Sequence, residues 1–102
     1  MKFERSEPFV ADYKRLSAQE RALFGEAVRQ INQAFLHRSG RGLPKWPAAL
    51  RVKPVQGAPG IWEMTWSFSG PDGRATFELI TIHGEPGIRW RRISDHRIFR
   101  EP

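Results

Sequence analysis

The spacing of apolar residues changes near residue 45, and this change restricts the chain to folds that keep helices and strands in separate halves. Before that point, apolar side chains recur every three or four residues, which is the period of one helix face. After it, they alternate with polar side chains, which is the period of a half-buried strand. Gly42, Pro44 and Pro47 lie between the two halves, so residues 41–49 are predicted to form a loop.

Two helix starts are recognisable in the first twenty residues. Ser6 precedes a segment with Pro8 in its first turn, which is typical of an N-cap followed by a helix. Ser17 is followed three residues later by Glu20, which is the spacing of a capping box. The second apolar stripe keeps its helical spacing to about His37, so we predict a helical hairpin at the N-terminal end of the chain.

Short strands are predicted on both sides of this hairpin. The predicted segments are 1–5, 50–56, 61–68, 74–82 and a last strand that begins at Ile88. The turns between the later strands are short and rich in glycine and proline, which favours antiparallel neighbours. We therefore predict one α+β domain over residues 1–102, with the N-terminal helical hairpin packed on a mostly antiparallel sheet of four to five strands.

Three of the four tryptophans are predicted to lie in the hydrophobic core. Trp62 and Trp66 fall on one face of the strand at 61–68, and Trp90 lies in the last strand, so all three are expected to pack beneath the helices. Trp46, in the proline-containing loop, is instead predicted to be an exposed aromatic contact.

The last strand and the residues after it are rich in arginine. Alternation along a strand places Arg89 and Arg91 on one face, with Arg92 on the other face beside Trp90. A basic strand with neighbouring aromatic residues suits a polyanion, most simply RNA. The alternative is a basic strand that is only solvated.

Composition narrows the kinds of partner. The net charge is +6, with 17 basic against 11 acidic residues, which favours nucleic acid or an acidic protein. The chain has no cysteine, so neither a disulfide-linked partner nor a thiolate metal site is available. No apolar run approaches the ~18 residues that cross a bilayer, and the charged start does not resemble a signal peptide. We therefore expect a cytoplasmic protein with no membrane partner, no metal and no cofactor.

Three groups of motifs resemble the RelE/ParE superfamily of type II toxin–antitoxin toxins, and the RelE/HigB branch in particular. They are residues 50–57, residues 60–64 with 72–74, and residues 93–96 with 98–99. The resemblance implies a toxin that represses translation as a metal-independent mRNA endoribonuclease, bound to mRNA on the ribosome. It also implies that a cognate antitoxin protein neutralises it.

The same resemblance implies a set of site residues. Lys53 matches a basic residue of an early strand, Arg74 an arginine of the central strand, and His96 a C-terminal histidine, and these are the predicted catalytic residues. The predicted binders of RNA phosphate are Arg51, Arg89, Arg91 and Arg97. Two positions depart from the pattern, because Arg74 directly follows a turn and Phe99 stands where a tyrosine is often found.

Cleavage of RNA through its 2′-OH needs a base, an acid and stabilisation of phosphate charge. His96 lies among arginines and has a side chain that titrates near neutral pH, so it is the candidate acid. Glu63 and Glu78 are candidate general bases. The alternative for Glu63 is an ion pair across neighbouring strands with a basic residue. The alternative for His96 is a surface histidine that bonds Asp95.

Two other functions remain open at the level of sequence. One is a non-catalytic or degenerate relative that binds an antitoxin or RNA only, which Phe99 and the position of Arg74 favour. The other is a ParE-like gyrase inhibitor with the same fold and no nuclease chemistry. The pairing of His96 with Lys53 in one chain argues against the second.

Overall fold

Five strands form one mixed sheet, and two helices pack against one of its faces. The computed structural model describes residues 2–37, 43–67 and 73–94. In chain order the elements are β1 (Lys2–Arg5), α1 (Glu7–Lys14), α2 (Ala18–Leu36), a 3-10 helix (Ala48–Leu50), β2 (Lys53–Pro54), β3 (Trp62–Ser67), β4 (Gly73–Ile82) and β5 (Glu85–Ser94). The architecture is the α+β arrangement predicted from the sequence.

Both helices begin where the sequence predicts. The Ser6 hydroxyl accepts a hydrogen bond of 3.2 Å from the Phe9 N–H. At the second helix, the Ser17 hydroxyl accepts from the Glu20 N–H at 3.1 Å, and the Glu20 carboxylate accepts from the Ser17 N–H at 2.8 Å. Each cap satisfies N–H groups that the first turn of a helix leaves without partners, so the hairpin has fixed starting points.

The strand order across the sheet is β1-β5-β4-β3-β2. The neighbours from β2 to β5 run antiparallel, as the short turns predict, and β1 joins the other side of β5 in parallel. A parallel neighbour requires a long crossover, and here the two helices and three strands lie between β1 and β5. β5 is therefore an interior strand although it is the last one described.

Two segments differ from the predicted strands. The segment 50–56 contributes only Lys53–Pro54 as a strand, because Arg51 adopts a left-handed backbone with φ 49° and Pro54 has no N–H to extend the ladder. The turn predicted at 83–87 is only two residues long. His83 and Gly84 both have positive φ, which suits a tight hairpin, and β5 already begins at Glu85.

Aromatic side chains fill the core between the helices and the sheet. The buried apolar residues are Phe9, Phe24, Ala27, Ile31, Phe35, Leu50, Met64, Trp66, Ala75, Phe77, Ile88, Trp90 and Ile93. The core role predicted for Trp66 and Trp90 is confirmed, and Trp62 packs against the core from its edge. Among the described residues, neither helix is long and apolar enough to cross a membrane.

The prediction for Trp46 was wrong. Its ring is half-buried and lies 5.7 Å from Phe35, 5.9 Å from Trp62 and 5.9 Å from Phe77, measured between ring centroids. The loop that carries it folds back over the end of the core. A lone aromatic residue between prolines gives no periodic signal of this burial.

We expect Gly73→Ala to lower the free energy of unfolding by about 1–3 kcal/mol, because its Cβ would overlap a packed ring. An added Cβ at Gly73 would lie 2.5 Å from the Trp66 ring, which cannot easily yield because its Nε1 donates to the Arg74 carbonyl at 3.0 Å.

Gly25→Ala is the matched control, since a Cβ there meets nothing within 4 Å in the middle of α2. It should raise stability by about 0.5–1 kcal/mol. Urea unfolding of both variants measures the difference, and a neutral Gly73→Ala would contradict the packing described for Trp66.

Candidate functional site

The sheet face opposite the helices carries charged side chains, and we call it the charged face. It includes Glu4, Lys53, Glu63, Thr65, Arg74, Thr76, Glu78, Arg89 and Arg91. Alternation places them there, because the intervening residues of each strand point into the core. The centre of this face is buried at Glu63, Thr65 and Thr76, whereas Lys53 and Arg89 are exposed.

Lys53 and Glu63 form an ion pair across β2 and β3. They are register partners, and Lys53 Nζ lies 3.4 Å from Glu63 Oε1. The lysine side chain is 69% exposed and the glutamate side chain 11% exposed, so the pair joins a solvated cation to a largely buried carboxylate. The cross-strand interpretation of Glu63 is therefore confirmed. Its role as a general base stays a prediction.

Arg89 is held between two carboxylates. Its Nε and Nη2 donate to Glu4 Oε2 at 3.0 and 2.8 Å, and its Nη1 donates to Glu78 Oε1 at 2.8 Å. These hydrogen bonds, first that of Glu78 and then that of Glu4, raise the pKa of Arg89 above its usual value. A phosphate at Arg89 would have to compete with both carboxylates, and Glu78 as a base would have to leave this arginine.

Arg91 shares the charged face with Arg89, as alternation predicts. Its Nη1 lies 3.8 Å from the same Glu78 oxygen that binds Arg89. The side chain is 40% exposed. Because this contact is longer than a hydrogen bond, Arg91 has a weaker hold on Glu78 than Arg89 has.

Arg92 departs from simple alternation, because β5 contains a bulge. Phe77 lies opposite Trp90, yet the preceding Thr76 lies opposite Arg92, so Arg91 is an extra residue in the ladder. Ile93, not Arg92, is the next buried residue of the strand. The Arg92 guanidinium instead donates to the carboxylate of Asp12 in α1.

Sequence reasoning missed Asp12 altogether. It is 7% exposed and lies on the same helix face as the buried Phe9. A carboxylate on the apolar stripe of a helix is a usable signal, since a charge at such a position requires a partner from elsewhere in the fold.

Arg74 lies inside β4, although in the sequence it appears to follow a turn directly. It pairs with Thr65 on one side and Ser94 on the other, and its Nε is buried. Lys53 lies two strands away and two residues along the sheet, which places the two Cα atoms roughly 12 Å apart. The two predicted catalytic cations, Lys53 and Arg74, thus lie on the same face of the sheet but are not neighbours in it.

The remaining predicted site residues occupy different positions. Arg51 is exposed, lies two residues before β2 and has the left-handed backbone given above. His96 and Arg97 lie outside the described residues, so their convergence with Lys53 and Arg74 stays a prediction. Among residues 2–37, 43–67 and 73–94, no three acidic, histidine or cysteine side chains form a group that could hold a metal ion.

Comparisons with known proteins find solved structures that share this fold, but they find no match by sequence. No protein-family description matches the chain, and no curated protein matches it. A YoeB/ParE toxin from Agrobacterium tumefaciens is 15% identical, with a TM-score of 0.65 over 94% of this chain and 99% of that chain. A RelB–RelE antitoxin–toxin complex from Methanococcus jannaschii gives 13% identity and a TM-score of 0.60, over 96% of this chain and 95% of that chain. The RelE/ParE-like fold predicted from the sequence is confirmed.

We expect Lys53→Ala to lower the free energy of unfolding at pH 7 by about 1 kcal/mol, because it removes a cation from the largely buried Glu63 carboxylate. In a Glu63→Gln background the same change should cost less than about 0.5 kcal/mol. A double-mutant cycle in urea measures the coupling, with the exposed loop residue Lys45 changed to alanine as a control. Equal costs in both backgrounds would contradict the ion pair.

We expect Arg89→Ala to lower the melting temperature more than Arg91→Ala does, because Arg89 donates hydrogen bonds to two carboxylates, whereas Arg91 lies 3.8 Å from the Glu78 oxygen. The difference should shrink in 1 M salt, since both side chains are substantially exposed and their charges are screened. Thermal unfolding at low and high salt tests this. Indistinguishable melting temperatures at low salt would count against the two-carboxylate arrangement.

Proposed function

We propose that this chain is the toxin of a type II toxin–antitoxin system and that it represses translation by cleaving mRNA on the ribosome. Two observations support the proposal. The fold is shared with a YoeB/ParE toxin and with a RelB–RelE complex over nearly the whole chain. The charged face carries the proposal, because it presents Lys53, Arg74 and Arg91 on the same side of the sheet as the buried Glu63 carboxylate.

The charged face suits a phosphate backbone. Arginine binds phosphate through two parallel N–H groups, and an exposed lysine supplies a mobile point charge. Lys53 is the more exposed partner of its ion pair, so its ammonium group can turn from Glu63 towards a phosphate at a cost of about 1 kcal/mol. Arg51 is exposed and lies two residues before Lys53, so it adds a second cation close to the start of β2.

The proposed reaction is an attack of the RNA 2′-oxygen on the neighbouring phosphorus. Glu63 takes the 2′-OH proton, the new bond to phosphorus forms, and the bond from phosphorus to the 5′-oxygen breaks. His96 gives its proton to the leaving 5′-oxygen, which leaves a 2′,3′-cyclic phosphate and a free 5′-hydroxyl. Lys53, Arg74 and Arg91 stabilise the charge that develops on the phosphate oxygens.

Glu63 is preferred to Glu78 as the base because of their partners. Glu78 accepts a 2.8 Å hydrogen bond from Arg89 and lies near Arg91. Glu63 faces a lysine at 3.4 Å that is mostly exposed and can move away. To accept a proton, Glu63 therefore has to give up only its ion pair with Lys53.

His96 is assigned as the acid by its distance along the chain. Ser94 ends β5 opposite Arg74, and His96 follows it by two residues. This short separation in the sequence supports the proposal that His96 acts in the same site as Arg74.

The proposed partners are a cognate antitoxin, mRNA and the ribosome, in the cytoplasm. A net charge of +6 favours an antitoxin segment that is acidic, and it favours binding to RNA for the same reason. The proposed reaction requires no metal or cofactor, because the base, the acid and the cations are all side chains.

A second candidate is a non-catalytic relative that binds an antitoxin or RNA only. It is favoured by the engagement of both candidate bases in ion pairs and by Phe99, which has no hydroxyl. A gyrase inhibitor of the ParE kind is a third candidate, and it would not require an RNA-cleaving site.

We expect induction of the chain in a bacterial host to arrest growth and to produce new mRNA ends, detected by primer extension. Lys53→Ala, Arg74→Ala and His96→Ala should each reduce cleavage by about 100-fold, since each removes a group that acts in the transition state. Arg29→Ala is the matched control, because it removes a cation from α2 that pairs with Glu26, far from the charged face.

Each other outcome selects a different function. Growth arrest without new mRNA ends, together with reduced DNA supercoiling, would identify a gyrase inhibitor. No arrest with soluble, folded protein would identify a non-catalytic relative and would contradict the roles given to Lys53 and His96.

A further inference from the structure

The buried carboxylate of Asp12 binds the end of β5, and no step of the proposed reaction uses it. A carboxylate that is only 7% exposed is costly unless hydrogen-bond donors surround it. Arg92 donates from Nε to Oδ2 at 2.7 Å and from Nη2 to Oδ1 at 3.1 Å. The backbone N–H of Ile93 also donates to Oδ2, at 3.2 Å. Both carboxylate oxygens are therefore attached to two consecutive residues of β5.

Asp12 binds where β5 loses its neighbouring strand. β1 pairs with β5 only as far as Arg5, which lies opposite Trp90. Beyond that point the start of α1 takes over, because the Ser6 N–H donates to the Trp90 carbonyl at 2.9 Å and the Ser6 hydroxyl donates to the Arg91 carbonyl at 2.7 Å. Asp12 then accepts from Ile93. Ser6 and α1 thus supply hydrogen-bond partners to the backbone of β5 where β1 no longer pairs with it.

The same stretch of β5 contains the bulge at Arg91. A bulge bends a strand and interrupts its ladder, so the residues after it depend on other contacts for their position. Those residues end at Ser94, opposite Arg74, and the sequence continues to His96. The contacts of Asp12 therefore act on the part of β5 that lies beside Arg74 of the proposed site.

We propose that Asp12 is a positioning residue for RNA cleavage, which fixes the end of β5 through Arg92 and Ile93 and so holds Ser94 opposite Arg74. The effect on cleavage rests on the proposed function. The contact between Asp12 and the Ile93 amide does not depend on the proposed function, and it can be measured separately.

The experiment compares Asp12→Ala with the conservative Asp12→Asn in the full-length chain. Hydrogen exchange of the Ile93 amide should accelerate at least about tenfold in Asp12→Ala, because the acceptor is gone. It should stay within about threefold of the parent in Asp12→Asn, whose amide oxygen can still accept from Ile93. Glu26→Ala removes an exposed carboxylate that binds Arg29 on α2, and it should leave this exchange unchanged.

The second readout is the cleavage rate on ribosomes programmed with a defined mRNA. A misplaced catalytic group lowers the rate of the chemical step, so the maximal rate of Asp12→Ala should fall about tenfold or more, with the half-saturating ribosome concentration nearly unchanged. Asp12→Asn should recover most of that rate. A folded Asp12→Ala with parental exchange at Ile93, or with fast exchange and parental cleavage, would overturn the positioning role.

Two further outcomes are distinguishable. If the parent chain does not cleave, the proposed function fails and the positioning role in cleavage fails with it, while the exchange data still report the contact between Asp12 and β5. If Asp12→Ala does not fold, Arg92→Lys decides, because it keeps Asp12 bound to Ile93 and removes the two-point contact. Exchange at Ile93 should then stay near the parental rate, a lowered cleavage rate supports the proposal, and a parental cleavage rate overturns it.

Discussion

The packing of Trp90 joins the elements of this fold more than any other described contact. Its ring lies 5.0 Å from Phe24 of α2, 5.4 Å from Phe77 of β4, 6.0 Å from Phe9 of α1 and 6.4 Å from Phe3 of β1, measured between centroids. One side chain thus connects both helices to three strands. Burial of so large a ring fixes which face of β5 points inward, and the charges of that strand are placed accordingly.

The position of the charged face follows from this orientation of β5. The ion pairs on the face divide it into two regions. Beside β1, Arg89 is bound by two carboxylates, so this region is already neutralised. Beside β2, Lys53 holds a single carboxylate at 3.4 Å and is largely solvated. Because the Lys53 side chain is 69% exposed, the pair contributes only about 1 kcal/mol, and the ammonium group can also bind a phosphate. The region around Lys53 and Arg74 is therefore the better candidate for binding RNA.

Local signals predicted the regular elements, and contacts between distant residues decided the exceptions. Ser6 and Ser17 are visible as caps because a cap involves residues three positions apart. The bulge at Arg91 has no such signal, since it depends on how β4 and β5 fit together over the core. Trp46 was misjudged for the same reason: its burial depends on rings from α2, β3 and β4.

The sequence by itself determined the helical hairpin, the antiparallel order of the later strands and the sharing of one face by Arg89 and Arg91, because these depend on the periods of helix and strand. Only the tertiary structure decided that β1 lies parallel to β5, that Glu63 pairs with Lys53 rather than with another cation, and that Asp12 binds the end of β5. Two charged residues of different elements form an ion pair only if the fold brings their strands or helices within a few ångströms of each other. That proximity results from burying the aromatic core, and no local pattern in the chain encodes it.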